Sequence, residues 1–218
     1  MTIRLLPFFI IVMGVFYIFF APHEPLFISI LFKIIPMLSI ILYAFLRAKS
    51  TANIQRFDWV MMTGIAVCTI ADAAIAITFI AGLVIFLLGH IVYIIGFSTK
   101  VKWDSKRFLI IIPLLVSGFI YGQHLTKHIS EQESWLIGPV LAYIVVISIM
   151  VLMAFMTGNI YAMVGSLLFY LSDSILAWNM FIESLTFSKL YIMSTYYAGQ
   201  LFIAHSIMLI GMRKNTSS

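Results

Sequence analysis

Two aspartates lie in the middle of apolar segments that are long enough to cross a membrane. Asp173 lies within residues 165–181 (GSLLFYLSDSILAWNMF), and Asp72 lies within residues 64–77 (GIAVCTIADAAIAI). A glycine precedes each aspartate by eight residues. A carboxylate in hydrocarbon is costly and usually faces a bundle interior or a wet cavity, so two of them indicate a functional site.

Two carboxyl groups in one site are suited to acid and base catalysis. When their protonation states differ, one can donate a proton and the other can accept one. Lys33 is the third charged residue deep inside the apolar segments, and one lysine does not neutralise two aspartates. Either one aspartate stays protonated, or water and His90 take part. The structural alternative is that Lys33 pairs with one aspartate while the other faces a wet pocket.

Helical geometry predicts that five polar residues reach the same depth. At about 1.5 Å per residue, Asp72 and Asp173 lie roughly 20 Å from the inner ends of their segments. Lys33 and His90 lie roughly 12 Å from the outer ends of theirs, and Gln200 lies about 15 Å from its outer end. In a hydrocarbon core of about 30 Å, these positions meet in the outer half. The sequence therefore predicts one intramembrane polar site.

Further polar residues are candidates for binding a ligand or tuning the site. Tyr93 follows His90 by three residues and lies on the same helical face, where its hydroxyl can orient the histidine. Tyr197 lies about one turn before Gln200 on its helix. Asn179 lies outward of Asp173, near the predicted outer surface. We interpret Asn179, Tyr197 and Gln200 as candidates for a polar head group, with interhelical hydrogen bonding as the alternative for Gln200.

Several other patterns favour no additional chemistry. The spacing of His124, His128 and Glu131 suits a metal-binding face, but we interpret these residues as a solvated loop. His205 is interpreted as structural. The chain has no Gly-x-Ser-x-Gly, His-Glu-x-x-His, P-loop or dinucleotide motif, so serine-hydrolase, metalloprotease and nucleotide-driven chemistry are not expected. We expect no metal and no cofactor.

The composition is that of an integral membrane protein. Of the 218 residues, 63% are hydrophobic and 10% are charged, and the mean hydropathy is +1.11. Long apolar runs favour helices over the alternating strands of a membrane barrel. We predict an all-α polytopic membrane bundle that forms a single domain over residues 1–218. The net charge of +5 does not indicate nucleic acid, because basic residues in membrane proteins mainly record topology.

Eight apolar segments are predicted to cross the membrane. The tightest reversal is expected at residues 80–82 (IAG), between the third and fourth segments. The segments cover about residues 5–21, 25–46, 58–80, 82–98, 107–124, 136–156, 160–182 and 189–211.

Basic residues predict the orientation of these segments. With the amino terminus inside, the outer loops hold only Lys127 and Lys189, whereas ten lysines and arginines lie inside. Both termini are therefore expected in the cytoplasm. The inner basic residues are Arg4, Arg47, Lys49, Arg56, Lys100, Lys102, Lys106, Arg107, Arg213 and Lys214.

The two aspartate segments also predict an internal repeat. They are the third and seventh segments, so they cross the membrane in the same direction. A separation of four helices indicates two parallel four-helix halves related by a pseudo-twofold axis along the membrane normal. The aspartates would then occupy matching depths.

Short motifs lie along these segments at residues 33–37 (KIIPM), 71–72 (AD), 89–93 (GHIVY), 171–174 (LSDS), 179–181 (NMF) and 196–200 (YYAGQ). In this order they resemble the motifs of the YhhN-like lysoplasmalogenase family. The resemblance covers nearly the whole chain, and its most specific part is the Ser-Asp-Ser segment with the downstream Asn and Phe. The chain departs from the family where Lys-Pro and Gly-Asp are often found, having Lys33-Ile34 and Ala71-Asp72 instead.

The resemblance implies an intramembrane hydrolase that cleaves the vinyl ether of lysoplasmalogens. The products would be a fatty aldehyde and glycerophosphoethanolamine or glycerophosphocholine, and the partners would be a lysophospholipid substrate and membrane lipids. An acid protonates the alkenyl carbon, and water attacks the resulting oxocarbenium-like cation. Asp72 and Asp173 would be the catalytic acid and base, in either order. Lys33 and His90 would tune the pair or hold the phosphate, and Gln200 and Asn179 would bind the polar end.

Two other classes share the same residues. Parallel repeats with intramembrane carboxylates, a lysine and a histidine are also typical of proton-coupled small-molecule transporters. A non-catalytic lipid-binding protein is the third possibility, and it would tolerate replacement of both aspartates.

Overall fold

The computed structural model describes residues 2–22, 24–50, 54–129 and 131–212. Within these residues the chain is helical and contains no strand, which confirms the all-α membrane bundle. The helices are α1 (Thr2–Phe19), α2 (Leu26–Lys49), α3 (Arg56–Ile77), α4 (Phe79–Ser98), α5 (Ser105–Phe108), α6 (Ile111–His128), α7 (Ile137–Met156), α8 (Ile160–Phe181) and α9 (Ser188–Met212), with a 3₁₀ segment at Glu131–Leu136.

Eight of these helices are long in the described part of the chain, as predicted, and α5 is a single additional turn. Among the described residues, six stretches are long and apolar enough to cross a membrane, and they correspond to α2, α3, α4, α6, α7 and α8. The apolar helix Ile3–Phe19 is shorter. Two of the inner basic residues used for the topology, Arg213 and Lys214, lie outside the described residues.

The reversal between α3 and α4 lies at Thr78, two residues before the predicted turn. Thr78 has an extended backbone, and its Oγ1 accepts a hydrogen bond from the Ala81 amide at 3.3 Å. This contact caps the amino terminus of α4. Gly82 lies within α4, where a Cβ atom would be 2.3 Å from the Cβ of Ile75. The glycine therefore permits close packing of α3 on α4 and does not form the turn.

Helix pairing agrees with two related halves. The most extensive pairs are α3 with α4 and α8 with α9, the last two long helices of each predicted half. Between the halves, α2 packs against α9 and α4 packs against α7, which are again equivalent pairs. This arrangement brings α3 and α8, the helices that carry the aspartates, into one interior.

Glycines allow the backbones of α8 and α9 to touch. A Cβ atom on Gly165 would lie 2.8 Å from both the Gly199 oxygen and the Ile203 nitrogen, and neither backbone atom can move independently of its helix. Small residues at such positions let membrane helices approach closely. The α8–α9 contact in turn positions Asp173, which follows Gly165 on α8, and Tyr196, which precedes Gly199 on α9.

Replacing Gly165 by alanine should destabilise the protein by about 1–3 kcal/mol, because the new methyl group forces α8 away from α9. The measurement is the thermal unfolding midpoint in detergent, followed by tryptophan fluorescence. Gly138→Ala is the matched control, since no atom of the described residues is found within 4 Å of a Cβ at that position. Equal midpoints for the two variants would contradict the proposed close contact.

Candidate active site

Asp72 is buried and partnered on both carboxylate oxygens. Lys33 Nζ lies 3.2 Å from Asp72 Oδ1 and also donates to the Asp72 backbone oxygen at 3.3 Å. Tyr196 Oη donates to Asp72 Oδ2 at 2.7 Å. Only 1% of Asp72 is exposed. A buried carboxylate needs a cation and hydrogen bonds, and α2 and α9 supply both to α3.

Tyr197 contacts the backbone of Lys33. Its hydroxyl donates to the Lys33 backbone oxygen at 2.8 Å, which ties α9 to α2 beside the ion pair. Tyr197 does not line the cavity that contains Asp72. Its position agrees with a tuning role through Lys33 rather than with direct contact to a ligand.

Asp173 has different partners. Tyr143 Oη donates to Asp173 Oδ2 at 2.5 Å, and His90 Nε2 lies 3.5 Å from the same oxygen. His90 is fully buried, and its Nδ1 lies 2.8 Å from the Phe86 backbone oxygen. A carbonyl oxygen only accepts, so Nδ1 carries the proton and Nε2 of the neutral ring is an acceptor. No lysine or arginine pairs with Asp173 among the described residues.

The contacts of the two aspartates follow the same pattern in the two predicted halves. Each aspartate is contacted by the helix before it in its own half and by the last helix of the other half. For Asp72 these residues are Lys33 and Tyr196, and for Asp173 they are Tyr143 and His90. The helix before each aspartate thus contributes a lysine ammonium in one half and a tyrosine hydroxyl in the other.

Tyr143 was not identified from the sequence, and Tyr196 was not assigned to an aspartate. The available signal was a tyrosine within an apolar segment, because a buried phenol usually finds a hydrogen-bond partner. The chain has ten tyrosines, so this signal does not select two of them.

The structure corrects the prediction that Tyr93 orients His90. Tyr93 Oη donates instead to Gln200 Oε1 at 2.6 Å, and neither residue is exposed. This bond joins α4 to α9 away from the cavity, which agrees with the interhelical alternative for Gln200. His90 takes its orientation from the Phe86 carbonyl, one turn earlier on its own helix.

Asn179 and His205 both make local or interhelical contacts. Asn179 Oδ1 accepts from the Leu185 amide at 2.9 Å and so stabilises the loop between α8 and α9. It does not line the cavity. His205 Nδ1 lies 2.6 Å from Tyr43 Oη, in agreement with the structural interpretation of this histidine.

Two adjoining cavities meet at Asp173. The larger one has a volume of about 340 Å³ and is lined by both aspartates, Lys33 and Tyr196. The smaller one, about 40 Å³, is lined mainly by apolar side chains of α4, α6, α7 and α8. The residues common to the two linings are Ile75, Phe79, Phe86, Asp173 and Leu176. Asp173 therefore lies between a charged space and a narrow apolar one.

This arrangement can separate the chemistry of the two carboxyl groups. The Lys33 ammonium beside Asp72 favours the carboxylate form of this aspartate. Asp173 faces a phenol and an imidazole acceptor in an apolar setting, where a neutral carboxylic acid is the form that needs no cation. Pairs of carboxyl groups in such unlike environments are typical of acid and base catalysis.

Comparison with known proteins gives consistent matches over most of the chain. The family model described as the YhhN family matches residues 28–207. Lysoplasmalogenase TMEM86B from Rattus norvegicus is 27% identical over 203 residues, which are 92% of this chain and 82% of the relative. The Homo sapiens protein of the same name is 29% identical over 204 residues, covering 92% and 84%.

Lysoplasmalogenase TMEM86A from Bos taurus is a more distant relative. It is 25% identical over 217 residues, which are 93% of this chain and 88% of that protein. No solved structure matches the chain.

Replacing Lys33 by methionine should destabilise the protein by about 3–5 kcal/mol, because Asp72 loses its buried counter-ion. Lys33→Met combined with Asp72→Asn should recover most of that loss, since neither charge remains. Unfolding midpoints of the wild type, both single variants and the double variant in detergent measure the coupling. Additive effects of the two substitutions would show that the ion pair is not formed.

Proposed function

The chain belongs to the YhhN family, and from this premise we propose that it is an intramembrane hydrolase that cleaves the vinyl ether of lysoplasmalogens. The family match spans most of the chain, and relatives named lysoplasmalogenase align over nine-tenths of it. The protein is accordingly an enzyme that acts on an ether bond. The observation that carries the detailed proposal is the position of Asp173 between the two cavities.

The cavities match the two parts of a lysoplasmalogen. The larger cavity contains the Lys33–Asp72 pair and suits the glycerophospho head group. The smaller cavity is apolar and suits the first carbons of the alkenyl chain. The vinyl ether joins these two parts of the lipid, so it would lie beside Asp173.

Asp173 is the acid in this mechanism. Tyr143 donates a hydrogen bond to Asp173 Oδ2, and His90 Nε2 lies 3.5 Å from the same oxygen without forming a hydrogen bond. Oδ1 has no hydrogen-bond partner among the described residues, so we place the acid proton on Oδ1, facing the substrate. From there the proton passes to the alkenyl carbon that is not bonded to oxygen. The neighbouring carbon and the ether oxygen then share the positive charge of an oxocarbenium-like cation.

Asp72 is the base and the electrostatic partner of the cation. Its carboxylate, kept ionised by Lys33 and oriented by Tyr196, accepts a proton from water as the water oxygen bonds to the cationic carbon. The resulting hemiacetal loses its glycerol oxygen, which takes the hydroxyl proton, and an aldehyde remains. The proton held by Asp72 returns to Asp173 and completes the cycle.

Asp173→Asn should reduce aldehyde release from lysoplasmenyl-ethanolamine by about 10²–10⁴-fold, since an amide cannot supply the proton. Asp72→Asn should also reduce it strongly, and the Lys33→Met/Asp72→Asn double variant should remain inactive although its charge balance is restored. The purified proteins are assayed in detergent, with unfolding midpoints measured in parallel.

Asp104→Asn is the matched control, because Asp104 caps the short helix α5 and lies outside both cavities. It should retain wild-type activity. Aldehyde release by a folded Asp173→Asn variant at the wild-type rate would refute the catalytic assignment. If the folded wild type releases no aldehyde, substrate flux across sealed vesicles tests the transporter alternative.

Ala177→Leu should select against long alkenyl chains, because Ala177 lines the small cavity and a leucine side chain would occupy it. KM is expected to rise several-fold for a long-chain substrate, with a smaller change for a short-chain one. Ala177→Ser is the control of similar volume. The same change in KM for both substrates would show that the alkenyl chain binds outside the small cavity.

A further inference from the structure

Lys189 lines the larger cavity, although the proposed chemistry does not use it. It lies in the first turn of α9, and its Nζ is 4.4 Å from the centre of the Tyr17 ring. This cation–π contact holds the ammonium at the cavity wall without neutralising it. Lys189 has no carboxylate partner in the described part of the chain.

Lys189 gives the residues that line the cavity a net positive charge. Lys33 and Asp72 form an ion pair and cancel each other. With Asp173 as the neutral acid, the Lys189 ammonium leaves one net positive charge among the lining residues. A phosphodiester carries one negative charge and would restore neutrality. An ammonium group that lines a cavity without a carboxylate partner favours an anionic ligand group at that place.

The position of Lys189 also fits the length of a lysophospholipid head group. Ser188, Lys189, Ile192, Met193 and Tyr196 line the cavity with helical spacing, so one face of α9 forms its wall. Lys189 and Tyr196 are separated by about 10 Å along the helix axis. Tyr196 marks the catalytic end, where it contacts Asp72. The glycerol backbone that separates a vinyl ether from its phosphate would bridge these two ends.

Two serine hydroxyl groups also line this cavity. Ser188 precedes Lys189 on α9, and Ser29 on α2 lines the same cavity. Serine hydroxyls and an ammonium group are common donors to phosphate oxygens. The amino-terminal end of α9 adds a favourable dipole to these donors.

We propose that Lys189, with Ser29 and Ser188, binds the phosphate of the substrate and makes the protein selective for phosphorylated lysolipids over the corresponding alkenylglycerols. This inference rests on the proposed function, because that function places the head group in the larger cavity. It adds a head-group anchor that is separate from the aspartates and their direct partners.

The test uses binding rather than turnover. The probes are two saturated ether lipids that the proposed reaction cannot cleave, an alkylglycerophosphoethanolamine and the alkylglycerol with the same chain. Dissociation constants are measured in detergent for the wild type, Lys189→Met, Lys189→Gln and Lys189→Arg. Lys127→Met is the matched control, since Lys127 is exposed and does not line the cavity.

The wild type should bind the phosphorylated probe more tightly than the alkylglycerol. Lys189→Met and Lys189→Gln should lower this preference by about 10- to 100-fold, the range expected for a charge-assisted hydrogen bond. Lys189→Arg and Lys127→Met should retain it. An unchanged preference in a folded Lys189→Met or Lys189→Gln variant would overturn the proposal, as would a wild type that does not distinguish the probes.

Failure of this inference is distinguishable from failure of the proposed function. Binding of the saturated probes does not require hydrolysis, so a Lys189-dependent phosphate preference can be measured even in a protein that releases no aldehyde. Conversely, aldehyde release with no dependence on Lys189 would support the hydrolase and reject the phosphate anchor.

Discussion

The pairing of buried charge is the constraint on which the structure depends. Asp72 is almost fully buried, and its two oxygens are satisfied by Lys33 from α2 and Tyr196 from α9. An unpaired carboxylate in this position would cost several kcal/mol, so the three helices are held in one relative arrangement. Tyr197 reinforces that arrangement by bonding to the backbone of Lys33. Close glycine contacts between α8 and α9 then bring Asp173 to the same cavity.

The two aspartates have unlike partners, although the helices around them pack in a similar pattern. Helices in corresponding positions contact the two aspartates, yet Lys33 forms an ion pair with Asp72 whereas Tyr143 donates a hydrogen bond to Asp173. His90, with its proton held on the Phe86 side, presents an acceptor to Asp173. A fold with two similar halves thereby provides two carboxyl groups in unlike environments. That difference is what an acid and base pair requires, and it supports the assignment of separate roles.

The two cavities beside Asp173 also differ in polarity, as do the two parts of the proposed substrate. One is large and contains the charged residues, whereas the other is narrow and apolar. In the proposed binding mode the head group of the lipid occupies the first cavity and its chain occupies the second, so the bond between them lies beside Asp173. The proposed selectivity and the proposed chemistry therefore have a common origin in the separation of polar and apolar surface around one residue.

The sequence by itself determined the membrane class and the eight long helices, and it singled out Asp72, Asp173 and Lys33, which the structure places around one cavity. These inferences depend on local hydropathy and on the cost of placing charge in hydrocarbon, and both are properties of short segments. Even the reversal after α3 was located to within two residues, although Thr78 rather than the glycine forms it.

Only the tertiary structure decided which partner each polar residue takes. Lys33 pairs with Asp72 and not Asp173, Tyr143 reaches Asp173, and Tyr93 bonds to Gln200 instead of orienting His90. These partners lie 30 to 107 residues apart in the chain. Their choice depends on how helix faces rotate and pack against each other, which the order of residues along one helix does not specify.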